Sequence, residues 1–190
     1  LSRGLGDVYK RQASRTSSFL KKNENKLSKN IDKNLIKTLI DEKVNVIDLY
    51  ENRKYSQLVR LIMELADNVN KYINNETPWK KDLDESVDIC STALNAFKII
   101  SIYLNPIIPS LTSKAYEFLN LKTCSFDDIE NTLTGQINNY KPLLNRLEPL
   151  IIPEEEDMDN QNIIDINQFS SIDLRVAKII KAEDVDGADK

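Results

Sequence analysis

Histidine is absent from this 190-residue chain, and glycine (four) and cysteine (two) are scarce. Without histidine there is no His-based catalytic triad and no His-ligated metal site. Gly4 and Gly6 fall at the very start, while Gly135 and Gly187 stand alone, so neither a dinucleotide fingerprint nor a phosphate-binding Walker loop can be written. Cys90 and Cys124 are far apart with no C-x-x-C spacing. A zinc site, a redox motif and a cysteine nucleophile are therefore not expected, and each reads as a small core or semi-buried residue. No apolar run approaches the roughly 18 residues of a membrane span, and no signal peptide is expected. The expectation is a reduced, cytoplasmic, soluble protein with no membrane partner, no metal and no catalytic residues of its own.

Charge is plentiful but unevenly placed. The net value of −4 resolves into +2 over residues 1–12, +1 over 13–150 and −7 over 151–190. The acidity belongs to the tail, whereas the first helical stretch holds Arg15, Lys21, Lys22, Lys26, Lys29, Lys33 and Lys37 against Glu24 and Asp32. On charge alone this is a solvated lysine-rich face; the alternative is a surface that tracks a phosphate backbone.

Residues 1–12 differ in composition from the rest of the chain and resemble a translated adapter of the kind found at the ends of assembled gene fragments; they are expected to be non-native. From Ala13 to about Lys29 a first helix is expected, and from Ile31 to about Asn52 a second, with Leu35, Leu39, Val46 and Leu49 near helical spacing. The third is the clearest: Tyr55, Leu58, Ile62, Leu65, Val69 and Ile73 form one stripe opposite Arg60, Glu64, Asp67 and Lys71. Pro78 ends it. A fourth helix from about Asp82 to Leu104 turns Ile89, Cys90, Leu94, Phe97, Ile100 and Leu104 inward, and its acidic first turn suits the positive end of the helix dipole. A shorter fifth covers 110–120, Ser125 to Asp128 has the form of a capping box, and Gly135 marks a turn before Tyr140–Leu150. No strand pattern occurs between Ala13 and Leu150, so residues 13–150 form an all-α helical bundle.

Beyond it the character changes. The stretch from Pro153 to Asn162 is acidic and aperiodic, a linker set within 151–165. In 166–190 the alternation of Ile172, Leu174 and Val176 with Asp173, Arg175 and Ala177 has the period of a half-buried strand, and Asp186-Gly187 signals a turn. One strand makes no sheet, so the sequence is expected to stop inside a second domain.

Two stretches carry a resemblance. Residues 53–79, ending in Pro78-Trp79, together with Tyr103–Pro109, resemble the helical anticodon-binding domain of methionyl-tRNA synthetases. Asp173–Ile179 and Gly187–Lys190 look like the opening of the tRNA-binding OB-fold barrel appended to many bacterial members. Similar bundles occur in other class I synthetases, such as the leucine and valine enzymes, and the alternative of another class is a helical protein-interaction scaffold with a buried Trp79. The resemblance implies that Trp79 stacks on an anticodon base and that Arg15 reads the edge of the first one. Unpaired bases are met in this way by aromatic rings and planar guanidinium groups. The asparagine that the family pattern places four residues before this arginine is here Arg11, within the adapter-like segment. Asn70 and Asn74, one turn apart, are candidates to face the same groove, with helix capping the other reading of Asn74. Lys22 and Lys26 are candidates for the tRNA backbone. The implied partner is a methionine tRNA with a CAU anticodon, not DNA. The parent enzyme would charge that tRNA using ATP and would pair as a homodimer through the C-terminal domain. The fragment itself would need no cofactor and be inactive alone, since the nucleotide-binding fold and the family's HIGH motif are absent from a chain without histidine.

Overall fold

The computed structural model describes residues 5–143, 164–173 and 175–180, which fall in two compact units, Leu1–Arg146 and Leu147–Lys190. The first unit holds six α-helices among the described residues: α1 (Leu5–Leu20), α2 (Lys33–Asp41), α3 (Lys43–Glu51), α4 (Tyr55–Glu76), α5 (Leu83–Leu104) and α6 (Pro109–Phe118). The expected all-α character holds for this unit.

Helix α5 is the axis of the bundle and packs on α1, α2, α4 and α6. From Ser86 to Leu104 nearly every side chain is buried, as expected of a helix with neighbours on all sides. Its 22 residues, with a mean hydropathy of 1.3 over an 18-residue window, are long and apolar enough to cross a membrane. This corrects the expectation that no run reaches that length; 94% of the window is buried inside the protein itself, so the apolar surface is used by the core. Asp82 caps the helix by accepting from the Glu85 amide at 2.9 Å.

The polar residues of α5 fasten irregular segments to it. Ser91 Oγ accepts from the Ser28 amide (2.8 Å) and Thr92 Oγ1 from the Asp32 amide (3.0 Å). Asn95 accepts from the Leu133 amide at 2.7 Å and donates to the Ser91 carbonyl at 2.9 Å. Buried Lys98 donates to the carbonyls of Asp128 and Asn131, and burial lowers its pKa from the ordinary 10.5. Tyr103 donates to the Leu39 carbonyl (2.6 Å), and Tyr50 donates to the carbonyl of Tyr103 (2.6 Å).

Helix α4 follows its expected stripe, with Leu58, Ile62, Leu65, Val69 and Ile73 buried, except that Tyr55 in the first turn is exposed. On α1, Ala13, Thr16, Ser17 and Leu20 form a buried face of mostly small side chains against α4 and α5, leaving Ser14, Arg15 and Ser18 exposed. Three boundaries differ from expectation. α1 begins at Leu5, inside the adapter-like segment, and stops at Leu20 instead of Lys29: a 3₁₀ turn (Lys21–Asn23) leads into Glu24 and Asn25, both left-handed (φ 53° and 59°). The helix expected over 31–52 is two helices meeting at Glu42, whose amide donates to the Ile40 carbonyl and interrupts the regular ladder. The Ser125 capping box is present and opens a 3₁₀ turn (Phe126–Asp128).

At Gly135, where a turn is expected, the chain bends with a positive φ of 89°. The segment around it returns to the end of α1: the Leu27 amide donates to the Gly135 carbonyl (2.8 Å) and the Ile137 amide to that of Asn25 (3.0 Å), an isolated antiparallel bridge.

In the second unit a five-residue helix, α7 (Ile166–Ser170), is capped by Asp165 and Gln168. Arg175–Ile180 are not helical and form no strand, with Val176, Ile179 and Ile180 exposed. The strand expected over 172–181 is therefore not formed among the described residues, for the reason that a strand needs a neighbour to receive its backbone hydrogen bonds. The expected linker stretch Pro153–Asn162, the Asp186-Gly187 turn and the part of Tyr140–Leu150 beyond Leu143 lie outside the described residues.

The α5 fastenings can be tested by mutation and by pH. Asn95→Ala strands the buried Leu133 amide and is expected to lower stability by about 1–3 kcal/mol, read from urea denaturation; an unchanged midpoint contradicts the role given to Asn95. At alkaline pH the buried phenols and thiol take over. Burial raises the Tyr50 phenol from 10.0 to about 12 and the Cys90 thiol from 9.0 to about 12, and raises Tyr103 and Tyr116 as well. The fold favours the protonated forms, so this stability is present below the unfolded values and lost as pH rises through 9–10 toward 12. Lys98, with its lowered pKa, works in the opposite direction below 10.5 but is one group against these four together with Tyr72 and Cys124, which burial raises too. Denaturation midpoints are expected to fall between about pH 8 and about pH 11, with a shallower fall in Tyr103→Phe.

Candidate nucleic-acid interface

The chain between α4 and α5 makes the most exposed aromatic feature of the bundle's turns. Thr77 closes α4 in the left-handed region (φ 45°), and its amide donates to the Ile73 carbonyl at 3.2 Å. Pro78, at the first position of the following 3₁₀ turn (Pro78–Lys80), prevents the helix from continuing. Ser86 on α5 donates to the Pro78 carbonyl at 2.6 Å and fixes the turn from beneath. Pro78 is buried, whereas Trp79 beside it is 50% exposed. Its ring is held at the surface and is not a core residue.

Trp79 borders two cavities. The larger, about 300 Å³, has Arg15, Thr16, Ser18 and Phe19 of α1 on one side, Pro78 and Trp79 on the other, and Ile73 and Cys90 below. The Arg15 Nη1 donates to Asn74 Oδ1 at 3.1 Å, which holds the guanidinium from α4. An arginine has five N–H donors, so the rest of the fork remains available to a ligand. The smaller cavity, about 130 Å³, lies past Phe19 and Trp79 and is reached by Lys22 and Lys81.

Arg15 and Lys22 thus border adjoining cavities on either side of Trp79, and Asn74, which lines neither, is joined to them through its hydrogen bond from Arg15. Asn74 is not a helix cap: the cap of α4 is Thr77, and the Asn74 side chain is engaged by Arg15. Asn70, a turn earlier, is half-buried and does not line either cavity. Lys26 is also elsewhere, ion-paired with Glu24 at 2.5 Å beside the Gln136 bridge; that pairing lowers the Glu24 pKa. Arg11 lies outside the described side chains. Phe19 and Lys81 complete the lining without being marked out by the sequence reading. Phe19 follows Arg15 by one helical turn, a spacing that could have found it; nothing about Lys81 separates it from other lysines until the turn is seen. Cys90 is fully buried at the groove floor with its thiol pKa pushed up, the state of an unreactive core residue. Cys124 is semi-buried, and no cluster of metal-ligating side chains occurs among the described residues.

An exposed indole and a positioned guanidinium are the side-chain types by which unpaired bases are met. Residues 32–183 match the family described as the anticodon-binding domain of tRNA ligase, and the chain belongs to that family. Over 94% of its length it is 30% identical to the methionine–tRNA ligase of Psychrobacter sp. (strain PRwf-1). A solved structure of the apo, free-state methionyl-tRNA synthetase of Mycobacterium tuberculosis shares the fold, with a TM-score of 0.62 at 17% identity over 76% of this chain. The chain spans 31% of the first of these proteins and 33% of the second, about a third of each.

The position of the ring gives a direct check. Trp79 is the only tryptophan, so intrinsic fluorescence is expected to show the red-shifted emission of a wet indole and ready quenching by acrylamide. A blue-shifted, quencher-protected spectrum would put the ring in the core and favour an interaction scaffold instead.

Proposed function

We propose that the helical unit binds the anticodon loop of a methionine tRNA through the groove between α1 and the Trp79 turn. The observation that carries this reading is the pairing of a half-exposed indole with a guanidinium held in place by Asn74. An unstacked loop base enters beside Arg15 and lies against Trp79. The Watson–Crick edge of cytosine presents two adjacent acceptors, the ring N3 and the carbonyl O2, which suit two N–H groups of one guanidinium; uracil presents an N–H at the ring position and does not. A CAU anticodon begins with such a cytosine. Neither Asn70 nor Lys26 is needed for this, and Lys22 remains a backbone contact.

The names of the relatives support a further reading, that this unit serves a methionine–tRNA ligase which uses ATP to join methionine to its tRNA. In that protein the residues after the bundle, with their acidic stretch and the alternating segment near Val176, would lead into a tRNA-binding barrel able to pair two copies. The setting would be cytoplasmic. Recognition is the part this chain performs, and no step of amino-acid activation is assigned to it.

Titration of the chain with an anticodon stem-loop carrying CAU, and with one in which the first base is changed to uracil, tests the assignment. Tighter binding of the CAU loop is expected, weakening as salt rises. Trp79→Ala is expected to cost about 1–3 kcal/mol of affinity, and Arg15→Ala to remove the preference between the loops. Equal affinity for both loops in the unaltered chain defeats the proposal.

A further inference from the structure

The smaller cavity beyond Trp79 lies outside the pocket proposed above for a base. Its lining includes Phe19, Lys22, Pro78, Trp79, Lys81 and Asp82, and its volume of about 130 Å³ is less than half that of the base pocket it adjoins. Phe19, Pro78 and Trp79 border both, so the two form one continuous track along α1. Arg15 lies in the first and Lys22 in the second. Seven residues separate them along the helix and its 3₁₀ extension, roughly 10 Å of rise, which is about the reach of one nucleotide from the edge of its base to its phosphate.

The charges at the small end are arranged for an anion. Lys22 is exposed and has no ion-pair partner among the described residues. Lys81 pairs with Glu85 at 3.2 Å, with both side chains substantially exposed, an interaction weak enough to be shared or given up. Asp82, the acid in the lining, has a carboxylate oxygen already committed to the Glu85 amide as the cap of α5. That cap places an acid at the helix start and takes up the Glu85 amide, so the two lysines supply the positive charge.

We propose that this cavity seats a single backbone phosphate of the RNA whose base occupies the Arg15 pocket, with Lys22 and Lys81 closing on it from α1 and from the Trp79 turn. The proposal rests on the groove being the RNA site. It assigns to Lys81 a role that composition and spacing do not indicate, and it makes Trp79 the divider between a base-reading end and a backbone-holding end. Lysine suits the second end because a mobile point charge follows a phosphate without demanding a fixed angle.

The test uses the full chain and CAU stem-loops in which one loop phosphate at a time is replaced by an uncharged methylphosphonate. For the unaltered chain, one linkage next to the first anticodon base is expected to weaken binding several-fold when neutralised. In Lys22→Gln/Lys81→Gln the same replacement is expected to cost nothing further, because both changes remove one contact. The double variant is also expected to flatten the salt dependence by about 0.7 in slope for the phosphate released, while keeping the preference for CAU. A full additional loss at that linkage in the double variant, or an unaltered salt slope, overturns the phosphate seat while leaving the base-reading groove intact. Loss of all discrimination between loops in the unaltered chain overturns the groove itself and the seat with it.

Discussion

The bundle depends on one helix that has no outside. From Ser86 onward α5 is enclosed on nearly every face, so each polar group there must find a partner within the protein, and it finds the backbone of loops, of α2 and of α5 itself. Ser91 and Thr92 take the amides that lead into α2, Asn95 and Lys98 hold the stretch around residues 128–133, and Tyr103 holds the end of α2. A buried lysine is costly unless its protons are accepted, and two carbonyls from one turn accept them. The same helix reaches the groove beside Trp79, where Ser86 anchors Pro78 and Cys90 forms part of the floor. Rigidity in the core and position at the surface thus have a common source.

Much of this is legible in the residues. The period of α4 and the length of α5 can be read because the buried stripe of α4 is regular and because a proline and a capping aspartate bracket the turn between them. Trp79 and Arg15 stand out as an isolated aromatic and an arginine in a family-like setting. Other features are not legible, for identifiable reasons. The end of α1 is set by two consecutive left-handed residues, Glu24 and Asn25, held by the Gly135–Ile137 backbone more than 100 positions away. The break at Glu42 leaves the hydrophobic spacing of Leu39, Val46 and Leu49 intact, so periodicity passes over it. Lys81 becomes meaningful only once the 3₁₀ turn brings it round to the cavity bordered by Lys22. The alternating segment near Val176 shows the converse: the pattern of a strand is present, and among the described residues no neighbouring strand completes it.

Electrostatics separates the chain into parts with different tasks. The acidic excess lies after residue 150, while the groove presents Arg15, Lys22 and Lys81, with Asp82 engaged as a cap and Glu85 paired with Lys81. Net charge therefore averages over segments of opposite character. The apolar content of α5 is a similar case, since its hydropathy alone would sort it with membrane helices and its surroundings in the fold do not.

The bridge between the Asn25–Leu27 backbone and Gly135–Ile137 has a consequence for how such a protein is made. Gln136 donates to the Glu24 carbonyl at 2.6 Å, and Asn25 to Asn139 at 3.2 Å, contacts that join the end of the groove-bearing helix to a segment more than 100 residues later. Such closures are slow in proportion to the entropy of the loop they draw shut. During synthesis α1 and the Trp79 turn leave the ribosome well before residue 135, so the clasp that fixes the end of α1 can close only after the stretch around Gly135 has followed. A nascent chain stalled before residue 135 would display its indole and arginine without the fastening at the end of α1.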